Sequence, residues 1–380
     1  MTDQPTQPNE LALQRLLRSA GLSALEPLAI KARPHPQYPN LLCFKYDQRL
    51  SPMREEAVQD ARGLILDQHD DWSVVSMSFR KFFNLGESLA APIDWETARV
   101  EEKLDGSLMS LYWYDGAWQV HTTGTADAGG MVMRDIRTKH EQLTFRHLFW
   151  QTWEEMGYSL PPAPTELGAA YTLAFELLTP VNRVVVRHES PRLVLHGVRR
   201  LDTLQEEKAE DWAAKLGYEA ARTFDLTREG LREAARQIAP DEGEGFVVRD
   251  ARFNRVKVKS EAYVAVSLVR EAWSPRRALE LVLLGEQAEF LTYFPEYRPQ
   301  LEDIEQRVRK VTDALDAVYA ELASLPDQKA FAAQALRNGN SAALFQLRLG
   351  RFPDAYAWLL SLTEVQRLRA LSNAGVDLSG

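Results

Sequence analysis

The sequence predicts an α+β protein, with a mixed α/β region over residues 1–265 followed by an all-helical region over residues 266–380. Three observations carry this. The chain is 380 residues long, enough for two domains with separate cores. From about Asn40 to Lys259 it runs in short stretches rich in β-branched and aromatic residues, punctuated by Gly and Asp-Gly. After Ser260 those stretches stop, and apolar residues recur at helical spacing between Pro, Gly and Asn breaks. The change of texture puts the boundary near residues 260–275.

Taken in order, a polar tail up to about Glu10 precedes a helix over Leu11–Ala20. Leu41–Tyr46 is strand-like, and Arg62–Leu66, Leu108–Trp113, Trp118–Thr122, Tyr171–Leu177, Leu193–Val198 and Gly245–Val248 read as strands. Tyr114-Asp115-Gly116 is a hairpin turn between two of them. Helical patterns interrupt this region at about Met131–Glu155, Glu206–Leu216 and Arg228–Ile238. Beyond Ser260 helices are expected over Ala262–Trp273, Arg277–Leu284, Leu301–Ser324, Asp327–Asn338, Ala342–Leu349, Ala355–Leu360 and Thr363–Leu371.

Composition removes several function classes. No apolar stretch approaches the length of a membrane span, and the polar, acidic N-terminus does not read as a signal peptide. A cytoplasmic protein with no membrane association is expected. Cys43 is the only cysteine, which excludes an internal disulfide and a cysteine metal site; it reads as a small packed residue. The net charge of −9 argues against coating nucleic acid by bulk electrostatics, while leaving room for a local basic channel. The seven histidines show no metal-protease spacing, so a metal-dependent hydrolase is set aside.

The chemistry is concentrated around Glu101-Glu102-Lys103-Leu104-Asp105-Gly106-Ser107, where a lysine ends a short strand and an Asp-Gly turn follows. Alone, this is a surface hairpin with a solvated lysine. Its company changes the reading: Arg62-Gly63 and Lys81-Phe82-Phe83-Asn84 lie upstream, and Phe175-Glu176, Gly243-Glu244-Gly245 and Val256-Lys257-Val258-Lys259 lie downstream. In the last of these, strand alternation puts both lysines on one face, where they repel unless a polyanion sits against them. A lysine amine must be unprotonated to attack a phosphate, yet its ordinary pKa is about 10.4. Arg62, Lys257, Lys259 and a bound metal would favour the neutral amine and offset charge building on the phosphate.

These motifs resemble the covalent lysine nucleotidyltransferase superfamily of ATP-dependent ligases and capping enzymes. Lys81-Phe82-Phe83-Asn84-Leu85-Gly86-Glu87, Phe175-Glu176 with Pro180-x-Asn182-Arg183, and a helical rather than β-barrel C-terminus are similar to the phage-type tRNA-repair RNA ligases. The motifs cover about residues 40–265; beyond them the resemblance rests on length and helical character.

The resemblance implies a nucleotidyltransferase domain of ATP-grasp-like ligase fold over residues 1–265. It implies a helical domain over 266–380 that takes part in choosing the RNA. Lys103 would be the nucleophile, with Lys257 and Lys259 assisting catalysis. Arg62, Lys81, Phe83, Asp105, Gly106, Glu176, Glu244, Lys257 and Lys259 would surround the nucleotide, Glu176 at the ribose. Glu244 and Glu176 would serve Mg²⁺ or Mn²⁺. Lys103 would take AMP from ATP, pass it to an RNA 5′-phosphate, and a 3′-hydroxyl would then displace AMP. Single-stranded RNA or broken tRNA ends would be the partners of a monomeric enzyme. A DNA ligase or capping enzyme would share the lysine chemistry, and a non-catalytic RNA-binding scaffold would share the fold.

One position departs from the family. In His121-Thr122-Thr123-Gly124, Thr123 stands where a basic residue is often found. His121 reads as a structural histidine. In the helical region Arg307, Arg309 and Lys310 cluster, which a solvated helix face explains.

Overall fold

The computed structural model describes residues 10–132, 143–271, 273–285, 287, 290–291 and 294–376. The chain divides into two compact units, Met1–Ala265 and Val266–Gly380.

The first unit opens with an antiparallel meander of β1 (Ile30–Pro34), β2 (Leu41–Tyr46), β3 (Arg62–Asp67) and β4 (Ser73–Ser76). Its period-two alternation feeds two cores. Leu42, Phe44, Leu64 and Leu66 pack with Leu13 and Leu17 of the helix Ala12–Ala20. The intervening Leu41, Cys43 and Ile65 pack with Tyr112 and Ala126. Cys43 is buried among them, and burial pushes its thiol up to about 12, so it is packing rather than chemistry.

The chain continues through β5 (Phe83–Asn84), β6 (Arg99–Glu102), β7 (Ser107–Tyr114), β8 (Ala117–Thr122), β9 (Tyr171–Leu178) and β10 (Arg192–Arg200). Then come β11 (Glu206–Glu207), β12 (Glu219–Ala220), β13 (Thr223–Phe224), β14 (Gly245–Arg249) and β15 (Arg255–Lys259). A six-stranded sheet has the order β11-β10-β9-β7-β8, with β12 parallel on β10. Positive φ at both Asp115 (50°) and Gly116 (77°) makes the β7–β8 connection the primed hairpin turn that suits twisted strands. The helix Phe145–Glu155 lays Phe149 and Trp153 on this sheet, with Trp153 edge-on to Phe175 at 5.6 Å. A five-stranded sheet has the order β13-β6-β14-β15-β5 and packs Val100, Phe246, Val248 and Val256 against Leu231 and Ala235 of the helix Arg228–Gln237.

The expected strands are present, and β1, β4, β5, β12 and β13 are additions; β1 was hidden by its charged residues and Pro34, which an edge strand tolerates. Two helical expectations shrink. Of Met131–Glu155, residues 133–142 lie outside the described residues, and the helix starts only after Thr144, whose hydroxyl accepts the His147 N–H. Of Glu206–Leu216, the first two residues pair as β11 with β10, and the helix is Ala209–Leu216. The expected tail is also largely outside the described residues, which begin at Glu10.

The second unit is helical. Its long helix Arg298–Ala323 buries Leu301, Ile304, Val308, Val311, Leu315 and Leu322 along one stripe. Around it are Pro275–Leu284, Gln328–Ala335, Ser341–Arg348, Ala355–Ser361 and Glu364–Asn373. Ser274, Asp327, Asp354 and Thr363 cap four of these N-termini with side-chain oxygens. Arg307 and Arg309 pair one turn back with Asp303 and Glu305, as a solvated helix face does. Among the described residues no helix is long and apolar enough to cross a membrane.

Candidate active site

The register of the five-stranded sheet assembles the charged residues. Lys103 directly follows β6, and its backbone N–H donates to the Gly245 carbonyl at 2.9 Å. Gly245 in turn pairs with Lys259 across β14–β15. The strands approach so closely that a Cβ on Gly245, whose φ is 136°, would lie 2.1 Å from the Val258 carbonyl oxygen. Only glycine fits there. The preceding Glu244 is thereby set between two lysines: Lys103 Nζ donates to Oε2 at 2.6 Å and Lys259 Nζ to Oε1 at 2.8 Å. Lys257 lies two residues before Lys259 on β15. Burial pushes its amine down to about 8, and the charges of Lys81, Lys259 and Lys103 push the same way. Lys81 is held on the other side, with Nζ 5.3 Å from the centre of the Tyr46 ring and 5.9 Å from that of Phe83.

The turn after Lys103 is fixed from behind. A Cβ on Gly106 would lie 2.4 Å from the Leu177 carbonyl oxygen, so glycine lets the turn seat against β9. Asp105 is buried, and its carboxylate accepts the N–H groups of Val185 (2.8 Å) and Val186 (2.6 Å) together with the Tyr263 hydroxyl. Asn182 completes the tie: its Oδ1 accepts from Thr179, and its Nδ2 donates to the Leu177 carbonyl and the Ser107 hydroxyl. This corrects the expectation that Asp105 meets the nucleotide. Its side chain does not line the cleft; it positions the turn that carries Lys103. The Pro180-x-Asn182-Arg183 element is the other half of that anchor.

In front of the turn lies a cleft of about 410 Å³ lined by Arg62, Lys103, Gly106 and Glu176, with Phe82, His196 and Arg255. That volume suits a small-molecule ligand, for which ~300–1,000 Å³ is usual. Phe83, expected beside the nucleotide, is instead buried in β5 against β15; the neighbouring Phe82 faces the cleft. Strand alternation exchanges the two, since adjacent side chains point to opposite faces. Two buried nitrogens at the cleft lack a hydrogen-bond partner among the described residues, Arg62 Nη1 and His196 Nε2. Buried polar atoms are ordinarily satisfied, so these two mark a place for a polar ligand.

Glu176 sits opposite Leu108 and Val194 in the six-stranded sheet, 3.5 Å from His196. Burial raises its carboxyl to about 8; Lys103 and Arg62 oppose the shift, and Glu244 and Asp105 add to it. Burial likewise pushes His196 down to about 3, so it is neutral. A carboxyl raised on folding contributes stability that is whole below its ordinary range and is lost as pH rises through about 8. Glu176→Gln, which mimics the protonated acid, is therefore expected to melt higher than wild type at pH 9, by roughly 5 kcal/mol at most, with the gap closing toward pH 5. Parallel melting curves for the two proteins over that range would show that Glu176 ionises without penalty.

The structure thus brings Lys103, Glu244, Lys257, Lys259 and Lys81 into one lysine-rich wall, and Arg62, Gly106 and Glu176 into the adjoining cleft, with Lys103 shared. His196 and Arg255 were missed. Arg255 carried a usable signal, because it alternates with Lys257 and Lys259 on the same strand. His196 carried none. His121 is buried as a structural histidine: Nε2 meets the Ser76 hydroxyl at 2.7 Å, and burial pushes it down to about 4.

Comparison with known proteins places the chain. The family model described as RNA ligase matches residues 60–263, which contain every motif named above. An RNA ligase of Rhodothermus phage RM378 is 28% identical, over 69% of this chain and 72% of its own. A protein of Autographa californica nuclear polyhedrosis virus that carries the name bifunctional polynucleotide kinase/RNA ligase is 30% identical over 75% of this chain. The chain spans 42% of that longer protein. Solved structures of the Naegleria gruberi RNA ligase align at 15% identity with a TM-score of 0.32, over 45% of this chain and 52% of theirs. A mutant form of it with AMP and Mn aligns over 49% of this chain and 61% of that one, with the same TM-score of 0.32. With more than half of its length inside the family model, the chain belongs to the RNA ligase family, of the phage type that its motifs resemble.

Proposed function

We propose that the chain joins 5′-phosphate and 3′-hydroxyl RNA ends at the expense of ATP, carrying AMP on Lys103. The observation that supports this most is the position of Lys103, whose amine is shared between the cleft and the lysine wall. In the first step the Nζ–Pα bond forms as the bond from Pα to the bridging oxygen breaks, and pyrophosphate leaves. Glu244 Oε2, 2.6 Å from Nζ, is placed to accept the proton that the amine must give up. Lys257 and Lys259 face the phosphates. A polyanion arriving there favours the charged form of Lys257, which burial and the nearby charges of Lys81, Lys259 and Lys103 disfavour, and the attraction orients the triphosphate for in-line attack. Glu176 receives the ribose hydroxyls, and Arg62 and His196 offer the cleft's unpaired nitrogens. AMP then passes to an RNA 5′-phosphate, and a 3′-hydroxyl displaces it to close the strand.

Mg²⁺ or Mn²⁺ fits this site only as a companion of the phosphates. Among the described residues no group of three or more His, Cys, Asp and Glu side chains is poised to hold a metal. Both oxygens of Glu244 already have lysine partners, so Glu176 and Glu244 do not form a cage of their own. They suit a hydrated ion that keeps water ligands; when bound it would neutralise phosphate charge.

The deciding assay incubates the protein with Mg²⁺ and α-labelled ATP, then chases with RNA bearing a 5′-phosphate. The expected result is label on the chain that moves to the RNA 5′-end and is released as AMP on sealing. Label that never leaves the chain would refute the RNA-joining reading. In the same assay we assign substrate choice to the unit from Val266 onward: protein ending at Ala265 should label itself yet lose preference among RNA ends. Loss of self-labelling by a folded truncation would overturn that division.

A further inference from the structure

We propose that Lys45 is a phosphate-binding residue of the cleft, supplying from β2 the positive charge that Thr123 lacks. The inference rests on the ligase reading for the identity of the phosphate and on geometry for the residue.

The turn at Thr122–Thr125 is a built feature. Thr122 Oγ1 accepts the N–H groups of Gly124 (3.1 Å) and Thr125 (3.2 Å). The turn reaches over β3 so closely that a Cβ on Gly63 would lie 2.7 Å from the Thr123 Cα. Arg33 of β1 donates to the Gly124 carbonyl at 3.2 Å. Lys45 comes in beside it: a Cβ on Gly124 would lie 3.5 Å from Lys45 Nζ. Thr123 and Lys45 line the same cleft as Lys103.

Lys45 is exposed and has no carboxylate within ion-pair distance among the described residues. It pairs across β2–β3 with Arg62, a second cation. Like charges opposite one another on neighbouring strands are destabilising. The usual excuse for a strand lysine, protection of a sheet edge, does not apply, since β2 lies inside the meander between β1 and β3. A phosphate seated between Lys45 and Arg62 resolves both observations. It is either a terminal phosphate of ATP or the 5′-phosphate of the RNA; both present the same oxygens.

The test compares Lys45→Ala, Lys45→Arg and the double variant Lys45→Ala/Thr123→Lys with wild type. Self-adenylylation against ATP concentration reads one source, and sealing of pre-adenylylated RNA reads the other. Lys45→Ala should lose about tenfold or more in one arm, the size expected for a charge-assisted contact. Lys45→Arg should keep most of the activity, and Thr123→Lys should restore what Lys45→Ala lost. Loss confined to the ATP arm assigns the nucleotide phosphates, and loss confined to the RNA arm assigns the strand end. Wild-type behaviour of Lys45→Ala in both arms overturns the proposal, as does a loss that neither Lys45→Arg nor Thr123→Lys corrects. If wild type takes no label, the ligase reading fails by itself. Calorimetric binding of ATP at low salt then decides Lys45: about tenfold weaker binding to Lys45→Ala upholds it, and equal binding overturns it.

Discussion

Lys103→Ala is expected to take no label from α-labelled ATP while remaining folded. The chemical loss is complete because, among the described residues, no other amine both lines the cleft and reaches Glu244. Lys259 is committed to Glu244 Oε1 from the far strand, and Lys257 lies within the wall rather than the cleft. The structural loss is small because Glu244 keeps Lys259 when Lys103 is removed, so no buried carboxylate is stranded. A cost of about 1 kcal/mol is anticipated for the lost contact. The same variant should retain part of its activity on RNA supplied already adenylylated, since that substrate enters after the step that needs the amine. Radiolabel on the variant chain would show that another residue is the nucleophile.

Asp105→Ala should lower stability far more than Lys103→Ala does. The buried N–H groups of Val185 and Val186 lose their acceptor, and Tyr263 loses its bond to this carboxylate. Each unsatisfied N–H costs about 1–3 kcal/mol, so a loss of at least ~2 kcal/mol is expected where water does not replace the carboxylate. Asp105→Asn keeps one acceptor oxygen and should fall between wild type and Ala. Thermal melts give the order. A melting temperature for Asp105→Ala within a degree of wild type would show that the loop over 179–188 holds itself without the carboxylate. Self-adenylylation should fall with stability in this series, because the residue acts on Lys103 through the turn.

Much of this was legible in the sequence, for a physical reason. A strand, its hairpin turn and its alternation are local, and so Ser107–Thr122 could be read from Asp115-Gly116 and the period-two pattern. Lys103 and Glu244 could be read as motifs because each lies by a turn or glycine that close strand approach demands, and Lys259 because it alternates with Lys257 on one strand face. What escaped was set by register between distant segments. Lys45 matters only because β2 pairs with β3 in the frame that sets it against Arg62. Asp105 looked like a nucleotide ligand because its partners lie about 80 and 158 residues away. Phe82 and Phe83 are adjacent aromatics, and only the pairing of β5 with β15 decides which one faces the cleft. The helix expected from Met131 was overextended because apolar spacing carries no mark of where pairing ends; the cap at Thr144 is that mark.

The bond from the Lys103 N–H to Gly245 and the bond from Tyr263 to Asp105 join residues separated by most of the first unit. A chain emerging from the ribosome therefore displays Lys103 long before the segments that come to surround it are made. Until the final strand pair arrives, β6 has neither the neighbour that aligns the amine nor the carboxylate that neutralises it. Such long-range closure is slow compared with hairpin formation. The lysine-rich wall and the turn behind it are thus completed only after Gly245, Lys259 and Tyr263 have been made.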